Sequence, residues 1–87
     1  MPPDMTVRYF AAARDAAGTS EERLPVPTGA DVAAILLVAV ASRGGPAGLL
    51  GRVLPRCSYL LDGQQVRPEQ PIGDGATLDV LPPFAGG

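Results

Sequence analysis

Apolar and polar residues alternate near the start of the chain. In residues 5–10, MTVRYF, Met5, Val7 and Tyr9 fall on one side of an extended segment and Thr6, Arg8 and Phe10 on the other. Thr6 and Arg8 mark the second side as the wet one, which leaves Phe10 as an aromatic ring on a solvent-facing surface. Residues 11–18, AAARDAAG, predict one or two helical turns closed by Gly18. Residues 22–27, ERLPVP, predict a short strand with Leu24 and Val26 inward; Pro25 and Pro27 confine it to a sheet edge or a short ladder.

From Thr28 the period lengthens. In residues 28–45, TGADVAAILLVAVASRGG, Val32, Ile35, Leu36, Ala39 and Val40 recur at helical spacing. Thr28 is the expected N-cap, with Asp31 three residues on in a capping-box-like arrangement at the positive end of the helix dipole. Leu37 and Val38 widen the apolar stripe, so this helix is expected to carry most of the core, and Arg43 with Gly44-Gly45 ends it. Residues 46–55, PAGLLGRVLP, add a short helical turn bounded by two prolines.

Residues 57–67, CSYLLDGQQVR, predict a hairpin through a tight primed turn at Asp62-Gly63, with Cys57, Tyr59 and Leu61 inward and Leu60 outward. After the turn residues Gly73, Asp74 and Gly75, the last strand, ATLDVL, places Ala76, Leu78 and Val80 inward and Thr77, Asp79 and Leu81 on the wet face. Strands gathered around one main helix predict an α+β fold, a mixed sheet of four to five strands with that helix packed on one face. Phe10, Leu60 and Leu81, from three strands, all fall on the wet face. Unless a bulge shifts the facing by a residue, they form an exposed apolar patch of the kind that binds a partner.

At 87 residues, 46% of them apolar, the chain is expected to form one domain, residues 1–87, with residues 1–4 as an N-terminal extension and 82–87 as a flexible C-terminal tail. Net charge is −2, and the seven basic residues are all Arg, scattered along the chain. That is neither the basic stripe of a nucleic-acid binder nor the polybasic cluster of a membrane-surface protein. No signal peptide is evident, and the longest apolar run, 32–41, is about half a membrane span, so a cytoplasmic protein is expected. Cys57 is alone, which excludes an intramolecular disulfide, and it reads as a small core residue. With no His and one Cys, a Cys/His metal site or a His-based catalytic triad cannot be assembled, and no metal is expected. Residues 44–48, GGPAG, lack the following Lys of a phosphate loop.

One candidate for chemistry remains, the ending LPPFAGG, residues 81–87. Pro82-Pro83 cannot continue a ladder and stiffen the exit from the sheet. Phe84, Ala85, Gly86 and Gly87 follow, and the six residues 82–87 reach about 20 Å when extended. A tip without Cβ atoms suits insertion of a main-chain carboxylate into a narrow site. That carboxylate titrates near ~3.5 and is an anion at neutral pH, able to attack an activated phosphate. The plain alternative is a frayed end.

The motifs VRYFAAARDAAG, LLDG and DGATLDVLPPFAGG resemble, over residues 5–87, the ubiquitin-like sulfur carriers of the MoaD/ThiS family, and most of all its molybdopterin-synthase branch. The resemblance implies a β-grasp fold. It implies that an activating enzyme uses ATP to adenylate the Gly87 carboxylate, and that a sulfur-transfer enzyme then yields a C-terminal thiocarboxylate. It also implies docking on a large synthase subunit, which receives the sulfur for molybdopterin, with Phe10 and Leu81 in the docking surface and residues 82–86 as the inserted segment. No cofactor is expected on the chain itself and no catalysis by the chain alone. Asp79 stands where the family has a small or apolar residue, and Phe84 where Val or Ile is commoner. Two alternatives stay open: a carrier serving thiazole or cysteine synthesis, and a non-catalytic β-grasp interaction module.

Overall fold

The computed structural model describes residues 4–73 and 75–83. In chain order the elements are β1 (Asp4–Tyr9), α1 (Ala11–Ala17), β2 (Glu21–Pro25), α2 (Val32–Ala41), α3 (Leu49–Val53), β3 (Ser58–Leu61), β4 (Gln64–Val66) and β5 (Thr77–Leu81). Single 3₁₀ turns, Gly45–Ala47 and Leu54–Arg56, flank α3. The five strands form one sheet in the order β2-β1-β5-β3-β4, with β1 and β5 parallel and every other pair antiparallel. A mixed sheet with a central parallel pair and a helix crossing one face is the β-grasp arrangement. Among the described residues no helix is long and apolar enough to cross a membrane.

The sheet has the two faces that the alternation requires. Met5, Val7, Tyr9, Tyr59, Ala76, Leu78 and Val80 are buried against α2, whose own contribution is Val32, Ile35, Leu36, Ala39 and Val40. Leu24, Cys57 and Leu61 are partly buried and pack against this core, as expected of inward positions. β2, with Pro25 at its end, is an edge strand, where a residue without an N–H is tolerated. Asp62 and Gly63 have φ of 49° and 84°, the double positive φ of a primed hairpin turn, and Gly18 closes α1 at φ 80°, with its N–H on the Arg14 carbonyl.

Two expectations for the long helix are corrected. The N-cap is Asp31, whose Oδ1 accepts from the Ala34 N–H at 2.9 Å, and not Thr28. Residues 28–30 are spent on a turn, with Gly29 at φ 72° and the Ala30 N–H on the Pro27 carbonyl, so helical geometry begins only at Val32. The first two helical N–H groups are satisfied from elsewhere in the chain, Val32 by the Gln70 carbonyl and Ala33 by the Pro68 carbonyl. Leu37 does not widen the buried stripe; it is 63% exposed, because a single sheet face covers only one side of the helix. The one main helix is also joined by two short ones, α1 and α3, which pack on each other beside the sheet.

A polar network ties the helix ends to the edge strand. Arg43, just past α2, donates from Nε to the Ala17 carbonyl at 3.0 Å and from Nη1 to the Ala39 carbonyl at 2.7 Å. Its guanidinium also pairs with Glu22 of β2 at 2.9 Å and lies 5.8 Å from the centroid of the Tyr9 ring. The Tyr9 hydroxyl donates to the same carboxylate at 2.5 Å. Burial pushes the Tyr9 hydroxyl well above its ordinary range, reinforced by Glu22. Burial alone would raise Glu22, but hydrogen bonds from Arg43 and Tyr9 outweigh it and hold the carboxyl below its ordinary 4.5.

The folded state therefore binds fewer protons at Glu22 than the unfolded chain does as pH approaches 4.5 from above. The stability this group contributes is complete above that value and is lost as pH falls through the lower, folded value. Glu22→Gln is expected to cost about 1–3 kcal/mol at neutral pH by leaving Arg43 without its charge partner. It is also expected to flatten the acid limb of stability. Urea titrations between neutral pH and the acid limb measure both effects, and an unchanged acid limb would contradict the network's role.

Candidate functional site

Tyr9 pairs with Val80 across the parallel strands, and the Phe10 N–H donates to the Val80 carbonyl at 3.2 Å. The next residue on each strand, Phe10 and Leu81, therefore emerges at the same end of the sheet and on its outer face. On the far side of β5, Leu81 pairs with Ser58 and Asp79 with Leu60, and Leu60 pairs in turn with Gln65 of β4. These registers enclose a groove of about 590 Å³, lined by Phe10, Ala11, Ala12, Ser58, Leu60, Gln65, Leu81, Pro82 and Pro83. Phe10, Leu60 and Leu81, predicted as a patch from three strands, line one groove, and Pro82 and Pro83 form its wall. The remaining candidates, Phe84, Ala85, Gly86 and Gly87, lie outside the described residues.

The strand-to-helix junction fixes the Phe10 ring. Phe10 is the N-cap of α1, extended at φ −121° and ψ 147°, and its carbonyl accepts from the Ala13 N–H at 3.0 Å. Ala11 then turns the chain at φ 50°, a left-handed conformation that costs a residue with a Cβ about 1 kcal/mol. That turn leaves Phe10 39% exposed, one of the few large apolar residues so open to water.

Beside the groove stands an ion pair that the sequence did not reveal. Arg8 of β1 donates from Nε to Asp79 Oδ1 at 2.6 Å and from Nη2 to Asp79 Oδ2 at 2.8 Å, a bidentate fork across the parallel strands. The Arg8 guanidinium also lies 5.9 Å from the centroid of the Phe10 ring, within cation–π range. The two partners are unequally placed, since 47% of the Arg8 side chain is exposed but only 12% of the Asp79 side chain. Asp79, on the face expected to be wet, is in fact buried beneath its partner. Both residues are visible as mid-strand charges in the sequence, but their meeting depends on a strand order that no local pattern carries. Gln65 was missed for the same reason.

The groove holds no chemistry of its own. Its lining carries no ionisable side chain, and among the described residues no three His, Cys, Asp or Glu side chains gather as a metal site. Cys57 is partly buried, its thiol donates to the Val53 carbonyl at 3.4 Å, and burial pushes its pKa up, so it behaves as a packing residue. What the arrangement does offer is a binding surface, apolar at the centre and pinned by a neutralised charge pair.

Removing the two members of that pair is expected to have unequal effects. Arg8→Ala strands a nearly buried carboxylate, whereas Asp79→Ala leaves a guanidinium that already reaches water. Arg8→Ala should therefore lower the urea midpoint at neutral pH more than Asp79→Ala does. Equal midpoints at neutral pH would show that leaving the Asp79 carboxylate without Arg8 carries no cost of its own.

Comparison with known proteins agrees with this reading of the fold. The sequence profile of the ThiS family matches residues 7–87. The molybdopterin synthase sulfur carrier subunit of Chlamydomonas reinhardtii is 32% identical over 83 residues, which is 93% of this chain and 95% of that protein. Among solved structures, SAMP1 from Haloferax volcanii superposes with a TM-score of 0.81 at 26% identity, covering 97% of this chain and 99% of that one. A chain of the complex of subunits 1 and 2 of the molybdopterin-converting factor from Helicobacter pylori 26695 shares the fold, with a TM-score of 0.66 at 20% identity and coverage of 97% and 99%. With the family profile running through every strand and helix of the fold, the chain belongs to the ThiS family, as a ubiquitin-like β-grasp protein related to a molybdopterin synthase sulfur carrier subunit.

Proposed function

We propose that the chain carries sulfur for molybdopterin synthesis as a thiocarboxylate on Gly87. The observation that carries this reading is the apolar groove at the foot of the segment that leads to Gly87, formed by Phe10, Leu60, Leu81, Pro82 and Pro83. A partner seated in it holds the chain by its exit and takes the following residues into its own active site. The kinship with the Chlamydomonas carrier subunit supports the choice of pathway. The Helicobacter structure, a complex of two subunits, supports a large synthase subunit as one partner. An adenylating activating enzyme and a sulfur-transfer enzyme are the other two.

The chemistry requires little of this chain beyond its last carboxylate. In the activating enzyme, a Gly87 carboxylate oxygen attacks the α-phosphorus of ATP and pyrophosphate leaves, giving an acyl-adenylate. A sulfur nucleophile from the transfer enzyme then adds to the carbonyl carbon and AMP departs with the bonding pair. Splitting one difficult substitution into two easier ones is the usual benefit of a covalent intermediate. When that nucleophile is an enzyme persulfide, a thiol cleaves the S–S bond of the resulting acyl disulfide, is itself oxidised to a disulfide and leaves the thiocarboxylate. In the synthase its sulfur bonds to a carbon of the pterin precursor in place of an oxygen substituent, and water then cleaves the acyl–sulfur bond, so that the sulfur stays on the pterin and the Gly87 carboxylate returns. Glycine at the tip keeps the carbonyl open to each attacking group.

Incubation with an activating enzyme, ATP and a sulfur source is expected to shift the intact mass by one oxygen-to-sulfur exchange, and deletion of Gly86-Gly87 to abolish the shift without unfolding the domain. An unchanged mass with every such enzyme counts against the proposal. Retention of the large synthase subunit, rather than a thiazole or cysteine synthase, separates molybdopterin from the other carrier pathways. SAMP1 is named a small archaeal modifier protein, and an adduct on an acceptor amine in place of the sulfur exchange would mark that use of the same carboxylate. Leu81→Arg is expected to weaken binding of the large subunit at least about tenfold while leaving thermal stability near the wild-type value, because it places an unpaired charge at the centre of the interface. Unfolding of Leu81→Arg would instead place Leu81 in the core.

A further inference from the structure

Pro82 and Pro83 wall more than one groove. On their other flank lies a cleft of about 370 Å³, lined by Ala12 of α1, Arg52 and Val53 of α3, and Arg56 in the turn behind it. The proline pair is thus a ridge, with an apolar groove on one side and an arginine-lined cleft on the other. The cleft lining holds two cations and no carboxylate, in a chain whose net charge is −2. Both arginines are exposed. Arg52 is held in place by its Nε, which donates to the Ala47 carbonyl at 3.0 Å and leaves its two Nη groups uncommitted among the described residues. Arg56 makes no ion pair there either, whereas Arg8, Arg23 and Arg43 each face a carboxylate within 4 Å.

The geometry points to a two-part docking surface, in which a protein partner sets apolar side chains into the groove and presents an acidic segment to Arg52 and Arg56. Continuity with the groove and the positive charge of the cleft select such a partner. A protein that encloses the chain beyond Pro83 must straddle the ridge, and on one flank it then meets two guanidinium groups whose planar forks match carboxylates. Two uncompensated cations beside an apolar contact also steer an acidic partner toward the ridge.

This inference rests on the reading that the chain's end is delivered into a partner. Its test is calorimetric titration of the large molybdopterin synthase subunit encoded by the same genome, at low and high salt. Arg52→Glu/Arg56→Glu is expected to bind about tenfold more weakly or worse and to lose most of the salt dependence seen with the wild type. Arg52→Lys/Arg56→Lys retains most of the affinity. Arg56→Glu alone, which breaks no described intramolecular bond, is also weakened while melting like the wild type. Arg23→Glu/Arg67→Glu makes the same change in net charge at the sheet edges and leaves affinity near the wild-type value. Equal losses in the two double Glu variants, or no loss in either, overturn the inference. If Leu81→Arg abolishes binding while the cleft variants bind normally, the groove reading stands and this one falls. If the wild type neither binds the subunit nor gains sulfur, the underlying reading fails and takes this one with it.

Discussion

The parallel pairing of β1 with β5 is the constraint on which the site depends. Two adjacent parallel strands finish at the same edge of a sheet, so the residues that follow Tyr9 and Val80 emerge side by side although they come from opposite ends of the sequence. A parallel pair also requires a crossover, and here the crossover is nearly the whole protein: α1, β2, α2, α3 and the β3–β4 hairpin all lie between the two strands. Closing so long a connection is unfavourable in chain entropy, and the buried contacts of α2 with both central strands are what offset it. The core of this protein therefore has a direct functional consequence. By holding β1 against β5, it sets an aromatic ring at the foot of the outgoing chain.

The outer face of the same two strands shows how a binding surface can be charged without being costly to cover. Arg8 and Asp79 stand next to Phe10 and Leu60, where a partner would have to exclude water. Bringing two separate charges into such a contact carries a large desolvation cost. Here the carboxylate is already buried beneath the guanidinium and both of its oxygens already accept hydrogen bonds, so much of that cost is met within the folded monomer. The guanidinium's outer edge and its face toward Phe10 remain as contact area. Asp79, a departure from the small or apolar residue that the family resemblance leads one to expect, thus has a partner of its own that makes it compatible with an apolar surface.

Period-2 alternation in MTVRYF and ATLDVL was sufficient to sort the two faces of the central strands, and with them the exposure of Phe10 and the outward course of Leu81. The stripe from Val32 to Val40 was legible because helical period and burial coincide there. What stayed hidden was whatever depends on contacts distant in sequence. Thr28 and Asp31 are both competent caps, and the choice was made by the turn at Gly29 and by carbonyls of residues 68 and 70, which satisfy the first helical N–H groups from another part of the chain. Leu37 continues an apolar run but has no second layer to cover it. The Arg8–Asp79 fork, the place of Gln65 in the groove and the approach of Arg52 and Arg56 to the proline ridge each require the strand order or the packing of α3 against α1. No local pattern encodes either.

Under the sulfur-carrier reading, the side chains that are missing or muted matter as much as those that bind. An acyl-adenylate is an electrophile, and any good nucleophile on the same chain would compete with the intended sulfur donor. The sequence contains no Lys and no His. Its one thiol is partly buried, pushed toward the protonated form and hydrogen-bonded to a backbone carbonyl, which lowers the thiolate fraction available for attack. The Tyr9 hydroxyl is held neutral by burial and committed to Glu22. A domain whose purpose is to present an activated carboxyl to other proteins gains from such inertness. On this view, the scarcity of free nucleophiles in the sequence is what allows the chain's end to be activated without reacting with the chain itself.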